Sequence, residues 1–220
     1  MRNASLLPNG FVLTTDNSAG IGEKKNDVVS TPDEIVSYFA ARVALLEQWA
    51  AGANPLSLVV HNFSGSQSWN KYITGIEKLF NEIGINCPEI TGSSETNMET
   101  LQSAIAVTML GETVTEKNKD VRWCVYGKPS VGEEVIRNSE KIANLKKIKE
   151  AVSLGLVHQV WPVGSTGIKS ECERIGINAH LAEWDLEKSA GPATTVLLGI
   201  DRMKENEAKL HFGHYFETIS

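Results

Sequence analysis

Between Thr31 and Pro55 the chain carries both ends of one long helix, and few small folds have room for it. Thr31 and Glu34 have capping-box spacing, and Pro32 suits the first helical position, where its missing N–H costs nothing. Gly52 suits the left-handed position after the last turn, and Pro55 forbids continuation. The spacing predicts a helix from about Pro32 to Ala51, on the order of 30 Å long and able to cross a small domain. Ile35, Val36, Phe39, Ala40, Val43, Leu46 and Ala50 recur at helical spacing as one apolar stripe. Glu47 falls inside that stripe. The helix's only cation, Arg42, is five positions away on another face. A bare buried carboxylate is costly, so Glu47 either rides at the stripe's edge in water or holds a cation. The residues leave both open.

At 220 residues the chain can form one large domain or two small ones. Its 41% hydrophobic and 22% charged content is that of a soluble globular protein. A net charge of −6 argues against nonspecific nucleic-acid binding. It leaves room for a nucleotide, since metal ions bridge carboxylates to phosphates. Cys87, Cys124 and Cys172 lack a CxxC pair, so neither a disulfide framework nor a zinc site is expected. Met1 to Gly10 is too poor in apolar residues for a signal peptide, and no apolar run is long enough to span a membrane. The expected location is the cytoplasm.

Phe11 to Thr15 reads as a strand entering a polar loop, Asp16 to Asp27. Gly20 and Gly22 let backbone amides turn towards an anion, Lys24 and Lys25 add mobile positive charge, and Asp16 and Asp27 suit a divalent metal. The spacing matches neither GxxxxGK[ST] nor GxGxxG, and taken alone such a stretch is more often an ordinary surface loop. Leu56 to Phe63 reads as a buried strand delivering His61 and Asn62 at its end, with His61 expected to be a core histidine. Ser66 to Gly84 reads as a second helix, buried through Ile73, Ile76, Leu79, Phe80 and Ile83. In Ile90 to Met98, Gly92, Ser93 and Ser94 allow close approach of a ligand, while Glu95, Thr96 and Asn97 offer polar contacts. A turn with a helix cap is the alternative there. Ser103 to Gly111 reads as a strand continuing to Val114. The polar stretch Thr115 to Asp120 is the expected boundary between units 1–118 and 119–220.

Beyond it, strands are expected at Val121–Tyr126 and Val157–Val163, with a loop Gly127–Gly132 entering a short helix. A helix is expected over Ser139–Leu154, its lysines (Lys141, Lys146, Lys147, Lys149) forming a solvated surface. Gly164 to Gly167 precedes a helix Ile168–Ile175 and could aim amides from its start. Thr194–Ile200 and Leu210–Phe216 read as a closing antiparallel pair. On a strand His211 and His214 would point to opposite faces, so they are not expected to share a metal.

Four pieces stand in one order: Thr15-Asp16, Gly20-Ile-Gly-Glu-Lys24, Glu47 with Gly52-Ala-Asn-Pro55, and Gly92-Ser-Ser-Glu-Thr96. In this the chain resembles the ATP-dependent superfamily of aminoimidazole ribonucleotide synthetase, thiamine-monophosphate kinase and selenophosphate synthetase. The likeness is strongest from Thr14 to Gly111. Glu47 replaces a customary Asp, Ser93-Ser94 departs from a double glycine, and the second half is short. Asp16–Asp27, Arg42–Pro55 and Thr91–Asn97 are similar to the pattern of the compact α-ribazole kinase branch of cobalamin salvage.

The resemblance implies an α+β fold of the α/β sandwich type, two-lobed, with a shortened C-terminal domain. It implies a kinase that uses ATP and Mg2+ to phosphorylate the 5′-hydroxyl of α-ribazole. Asp16, Glu47 and Glu95 are the implied Mg2+ set, with Asp27 a fourth. Gly20, Gly22, Lys24 and Lys25 are implied for the phosphates, and Asn62, Ser94 and Asn97 for the nucleoside or acceptor pocket. No general base is identified. A homodimer is implied, with no nucleic acid or membrane partner. A kinase of another small metabolite, thiamine-monophosphate-kinase-like, and a noncatalytic nucleotide sensor are the alternatives.

Overall fold

In the computed structural model, which describes residues 3–114 and 120–219, the chain divides into two compact units, Met1–Thr115 and Glu116–Ser220. Most of the expected boundary stretch, residues 115–119, lies outside the described residues.

The first unit runs β1 (Ala4–Leu6), β2 (Phe11–Ala19), β3 (Ile21–Gly22), β4 (Val29–Ser30), α1 (Asp33–Ala51), β5 (Ala53–Asn62), α2 (Trp69–Ile83), β6 (Glu89–Ser94) and β7 (Ala104–Thr113). Five strands form a sheet in the order β1-β2-β7-β5-β6, with β5 and β6 parallel and the other neighbours antiparallel. Two expectations are corrected here. β2 continues four residues past Thr15, so Asp16 lies within a paired strand, opposite Val107, and the loop starts at Gly20. Glu89–Ser94 is a strand, neither open loop nor helix cap, because β5 offers it a parallel edge.

Helix α1 lies against the sheet on one side and α2 on another, so Ala40, Ala41, Ala44, Leu45 and Leu46 are all buried and the stripe is wider than its spacing suggests. Gly52 takes the expected left-handed cap conformation, φ 76°. The capping box does not form. Pro32 precedes the helix without a side-chain cap, and the buried Thr31 hydroxyl has no hydrogen-bond partner. Thr31 donates its N–H to Gly22 O, at the β3–β4 pairing, and Glu23 takes over the cap by accepting the Asp33 N–H at 3.2 Å. Buried polar bonds fix α1 on the sheet: Thr14 Oγ1 donates to Ala44 O, and Gln48 Nε2 donates to Val12 O, Thr14 Oγ1 and Met109 O.

Helix α1 covers one face of this sheet, with α2 packed against α1. On the other, the register lines up Leu13, Leu110 and Ser57 in one row and Thr15, Thr108 and Val59 in the next, all exposed or half-exposed.

The second unit comprises β8 (Arg122–Tyr126), α3 (Glu134–Arg137), α4 (Leu145–Ser153), β9 (Val157–Pro162), α5 (Gly167–Arg174), β10 (Val196–Ile200), α6 (Glu205–Phe212) and β11 (Phe216–Thr218). Its sheet is antiparallel throughout, ordered β11-β8-β10-β9. Val125 and Leu197 pack with Ile168 and Cys172 of α5. Alternation sends Tyr126 to the other face, where its ring meets Phe212, which in turn stacks on Phe216.

Leu210–Phe216 is not a strand. Ala208 and Phe212, four apart, bury one face of α6, and positive φ at Gly213 and Tyr215 turns the chain into β11, which pairs with β8 and not β10. His211 is therefore helical, its Nε2 at 2.8 Å from Lys147 O. Helix α4 starts only after Asn144, whose side chain accepts the Lys147 N–H and caps it. The amide expected to point out of the start of α5 is likewise used: Lys169 N donates to Leu186 O. Among the described residues no helix is long and apolar enough to cross a membrane.

Cys124 and Cys172 are fully buried, and burial pushes their thiols up to about 12 and about 11. Cys87 is half-buried and also pushed up, to about 11. At mildly alkaline pH almost no thiolate exists. A thiol-disulfide reagent is expected to titrate Cys124 and Cys172 only after denaturant is added, with Cys87 reacting slowly beforehand.

Candidate functional site

The carboxyl ends of β2, β5 and β6 and the start of β7 share one edge of the first sheet, because Ala19 pairs with Ala104, Asn62 with Ile105, and Ser94 with Asn62. The start of α1 lies against the loop that leaves β2, and α2 follows β5 after a short turn. Loops at such an edge are where a rigid scaffold presents ligand contacts.

These loops are tied together. Gly20 donates its N–H to Ser103 O at 2.8 Å. Asp27 is a hub: Oδ1 accepts the Ser103 N–H at 2.7 Å, and Oδ2 accepts Ser103 Oγ and the Lys24 N–H, each at 2.8 Å. Lys24 Nζ donates to Thr100 O at 2.8 Å and to Thr100 Oγ1 at 2.6 Å. Thr100 in turn donates to Phe63 O, and Gln102 Nε2 donates to Asn26 O. Lys24 is thus a clamp between two loops, and the mobile charge expected of it is corrected. Gly22 must be glycine: at φ +154° a Cβ would overlap Ser103 Oγ and come within 2.9 Å of Asp33 Oδ1. Lys25 is exposed.

A second cluster joins α1 to α2. Glu23 accepts the Asp33 N–H and pairs with Lys71, whose hydrogen bond, the largest cause, holds Glu23 below the usual carboxylate range. Asp33 is 2% exposed, its Oδ1 lacks a hydrogen-bond partner, and burial pushes its carboxyl up despite a bond from Ser68. The two acids oppose each other in pH dependence. Glu23 adds stability above its unfolded pKa that is lost as pH falls through its lowered folded value. Asp33 favours the protonated form, so stability falls as pH rises from the ordinary value through the raised one. Asp33→Asn is expected to raise the urea midpoint at neutral pH and to leave it nearly unchanged in acid.

Asn62 is 1% exposed and its amide is spent internally, donating to Gly65 O and Ser94 Oγ and accepting the Ser64 N–H. It braces the ends of β5 and β6 through Ser94. Ser64 Oγ bonds Tyr72 OH at 2.7 Å, and burial pushes that phenol up to about 12. Glu95 Oε1 accepts the N–H groups of Asn97 and Met98, closing its own loop. Gly92 lies so close to Val60 O that a Cβ would overlap it.

The acids stand on different elements. Glu47 is 1% exposed on α1 and accepts the Asn3 N–H at 3.3 Å. Asp16 is half-exposed on β2 and, by alternation with Val12 and Thr14, faces the helices. Glu95 follows β6, three strand spacings away, or about 14 Å laterally. Among the described residues no group of three or more His, Cys, Asp or Glu is placed to hold a metal ion. Glu23, Asp33, Thr100 and Ser103 were invisible as site residues, since each acts through a partner distant in sequence. Chemically, the edge offers hydroxyls, amides and a fixed ammonium.

No protein-family model matches this chain, and no curated protein matches its sequence. Solved structures do. Thiamine monophosphate kinase from Aquifex aeolicus superposes with a TM-score of 0.62 at 12% identity, covering 99% of this chain and 86% of that one. The hydrogenase maturation protein HypE in complex with ATP gives 0.59 at 11%, covering 97% and 76%. PurL of T. maritima complexed with AMPPCP gives 0.59 at 12%, covering 99% of this chain and 42% of that one. These are proteins of the aminoimidazole ribonucleotide synthetase-like superfamily, and the chain has their fold.

Proposed function

We propose that this chain is an ATP-dependent kinase that transfers the γ-phosphoryl group to the 5′-hydroxyl of α-ribazole. The observation that carries this reading is the built glycine loop, clamped through Lys24, Asp27 and Ser103, in a fold shared with thiamine monophosphate kinase and with ATP-complexed HypE. In the transfer, the bond from the γ-phosphorus to the ADP oxygen breaks as the acceptor oxygen bonds to phosphorus, and the hydroxyl proton leaves to water. Such a transfer rests on positioning and charge neutralisation. Lys24 holds positive charge at the loop, and the missing side chain of Gly22 lets the loop close onto Ser103.

Magnesium would neutralise the triphosphate. It commonly takes most of its ligands from phosphate and water. Among the described residues of one chain no three-acid cage forms, so the triphosphate itself would supply most of the metal's ligands. Asp16, Asp27, Glu47 and Glu95 enter the proposal as separate contacts that single substitutions test. In Glu47→Gln the amide can still accept the Asn3 N–H, and an unchanged circular-dichroism spectrum is the control for the fold. Magnesium-dependent ADP formation is expected to fall about tenfold or more; a wild-type rate would leave Glu47 a purely structural role. Lys25 and Asn97 are proposed as nucleotide contacts on the same terms.

ADP release measured with α-ribazole, thiamine monophosphate and a panel of nucleosides tests the acceptor. Turnover with another acceptor and none with α-ribazole would shift the assignment to a thiamine-monophosphate-kinase-like enzyme. The noncatalytic sensor has one observation in its favour: Lys24 and Asp27 are already committed to holding loops together. Calorimetric binding of Mg-ATP without turnover on any acceptor would establish it. We further propose a homodimer through the helix-free sheet face around Leu13 and Leu110; Leu13→Arg is expected to yield monomers in sedimentation.

A further inference from the structure

The second unit carries an open cavity of 530 Å³ that the kinase reading does not use. It lies where β8 begins, between that strand, the loop following α5 and the turn following β10. Half-buried Trp123, Ile177 and Ile219 supply apolar wall, and Arg122, Arg202 and His180 line the same opening. Among the described residues no acid lines it, although acids outnumber bases 27 to 21 in the chain. The opening thus presents guanidinium groups whose carboxylate partners lie outside its lining, and it falls in the size range of small-molecule sites.

The two guanidinium groups differ in commitment. Arg202 Nε meets Asp120 Oδ1 at 2.7 Å with its side chain about half exposed. Arg122 approaches Glu205 only to 3.6 Å, while Glu205 accepts closer bonds from Lys209 and Thr218 at 2.8 Å each. Strand alternation puts Arg122 and Trp123 on opposite faces, so the cavity wraps the open start of β8. An indole wall beside cations suits a flat ring joined to an anionic group, because a guanidinium binds the anion and the ring stacks or packs on indole.

We propose that this cavity binds a small aromatic anion, with the ring against Trp123 and the charged group at Arg202. The test uses the full chain with indole-labelled tryptophan, the Trp123 indole N–H signal being assigned from Trp123→Phe. Adenosine 5′-monophosphate and indole-3-carboxylate are titrated separately, with neutral adenosine and ring-free ribose 5-phosphate as controls. At least one aromatic anion is expected to shift the Trp123 signal and to bind about tenfold more tightly than either control. Arg202→Ala, at an exposed position, should weaken that binding severalfold without altering the other indole signals. Ile177→Glu, which puts a like charge in the wall, should weaken it further. The proposal is overturned if neither anion moves the Trp123 signal, if the controls bind equally well, or if Arg202→Ala binds like the wild type. Shifts confined to Trp49 or Trp69, in the first unit, would count as binding elsewhere and against it.

Discussion

Gly75→Ala is expected to destabilise the protein by about 3 kcal/mol, the upper end of overpacking costs, although alanine is the better helix former by about 1 kcal/mol. Gly75 sits in α2 where it crosses α1, and a Cβ there would overlap both the Glu34 carbonyl oxygen and Ser37 Oγ. One of those atoms is a side chain that can be removed; the other is backbone that cannot. Ser37→Ala in the Gly75→Ala background should therefore recover only part of the loss. Urea denaturation followed by far-ultraviolet circular dichroism checks this. A stabilised Gly75→Ala variant would mean that the helices are farther apart than described. Thr74→Ala, one position along on the same helix, serves as the contrast: it should be neutral or slightly stabilising.

Gln48→Leu is expected to cost a further amount of similar size, about 3 kcal/mol, for the opposite reason. The side chain is fully buried and its Nε2 donates to Val12 O, Thr14 Oγ1 and Met109 O, joining α1 to the two central strands it covers. Leucine fills a similar volume, so no cavity opens. Three buried acceptors nevertheless lose a donor, and each unsatisfied group costs about 1 to 3 kcal/mol, less where a ladder bond remains. Gln48→Glu should be worse still, since it adds a buried charge to the lost donor. Retention of the wild-type urea midpoint in Gln48→Leu would mean that apolar packing alone seats this helix.

Local signals in the chain were enough for much of the scaffold. The Gly52 terminator, the β-branched run Leu56–Phe63 and the spacing of Ile76, Leu79, Phe80 and Ile83 each act over a few residues; the elements form there, the strand starting three residues earlier, at Ala53, and the helix three later, at Trp69, with Ile73 only half-buried. The end of the chain shows where local signals tie. Leu210–Phe216 has strand-like composition, yet burial of Ala208 and Phe212 on one helical face outweighs it. Propensity differs by tenths of a kcal/mol per residue, whereas burying a phenylalanine is worth about 2 kcal/mol.

By itself the sequence determined two long helices, most strands and the presence of a glycine-bearing polar loop after the second strand, because these depend on periodicity and on φ preferences within a few residues. Only the tertiary structure decided what the polar side chains do. Lys24 finds Thr100, Asp27 finds Ser103, Glu23 caps a helix ten residues away, and Glu47 meets Asn3, all across gaps that no local pattern encodes. The physical reason is that a buried or half-buried polar group takes whichever partner the folded chain brings within about 3 Å, and that proximity exists only once the sheet has ordered its strands.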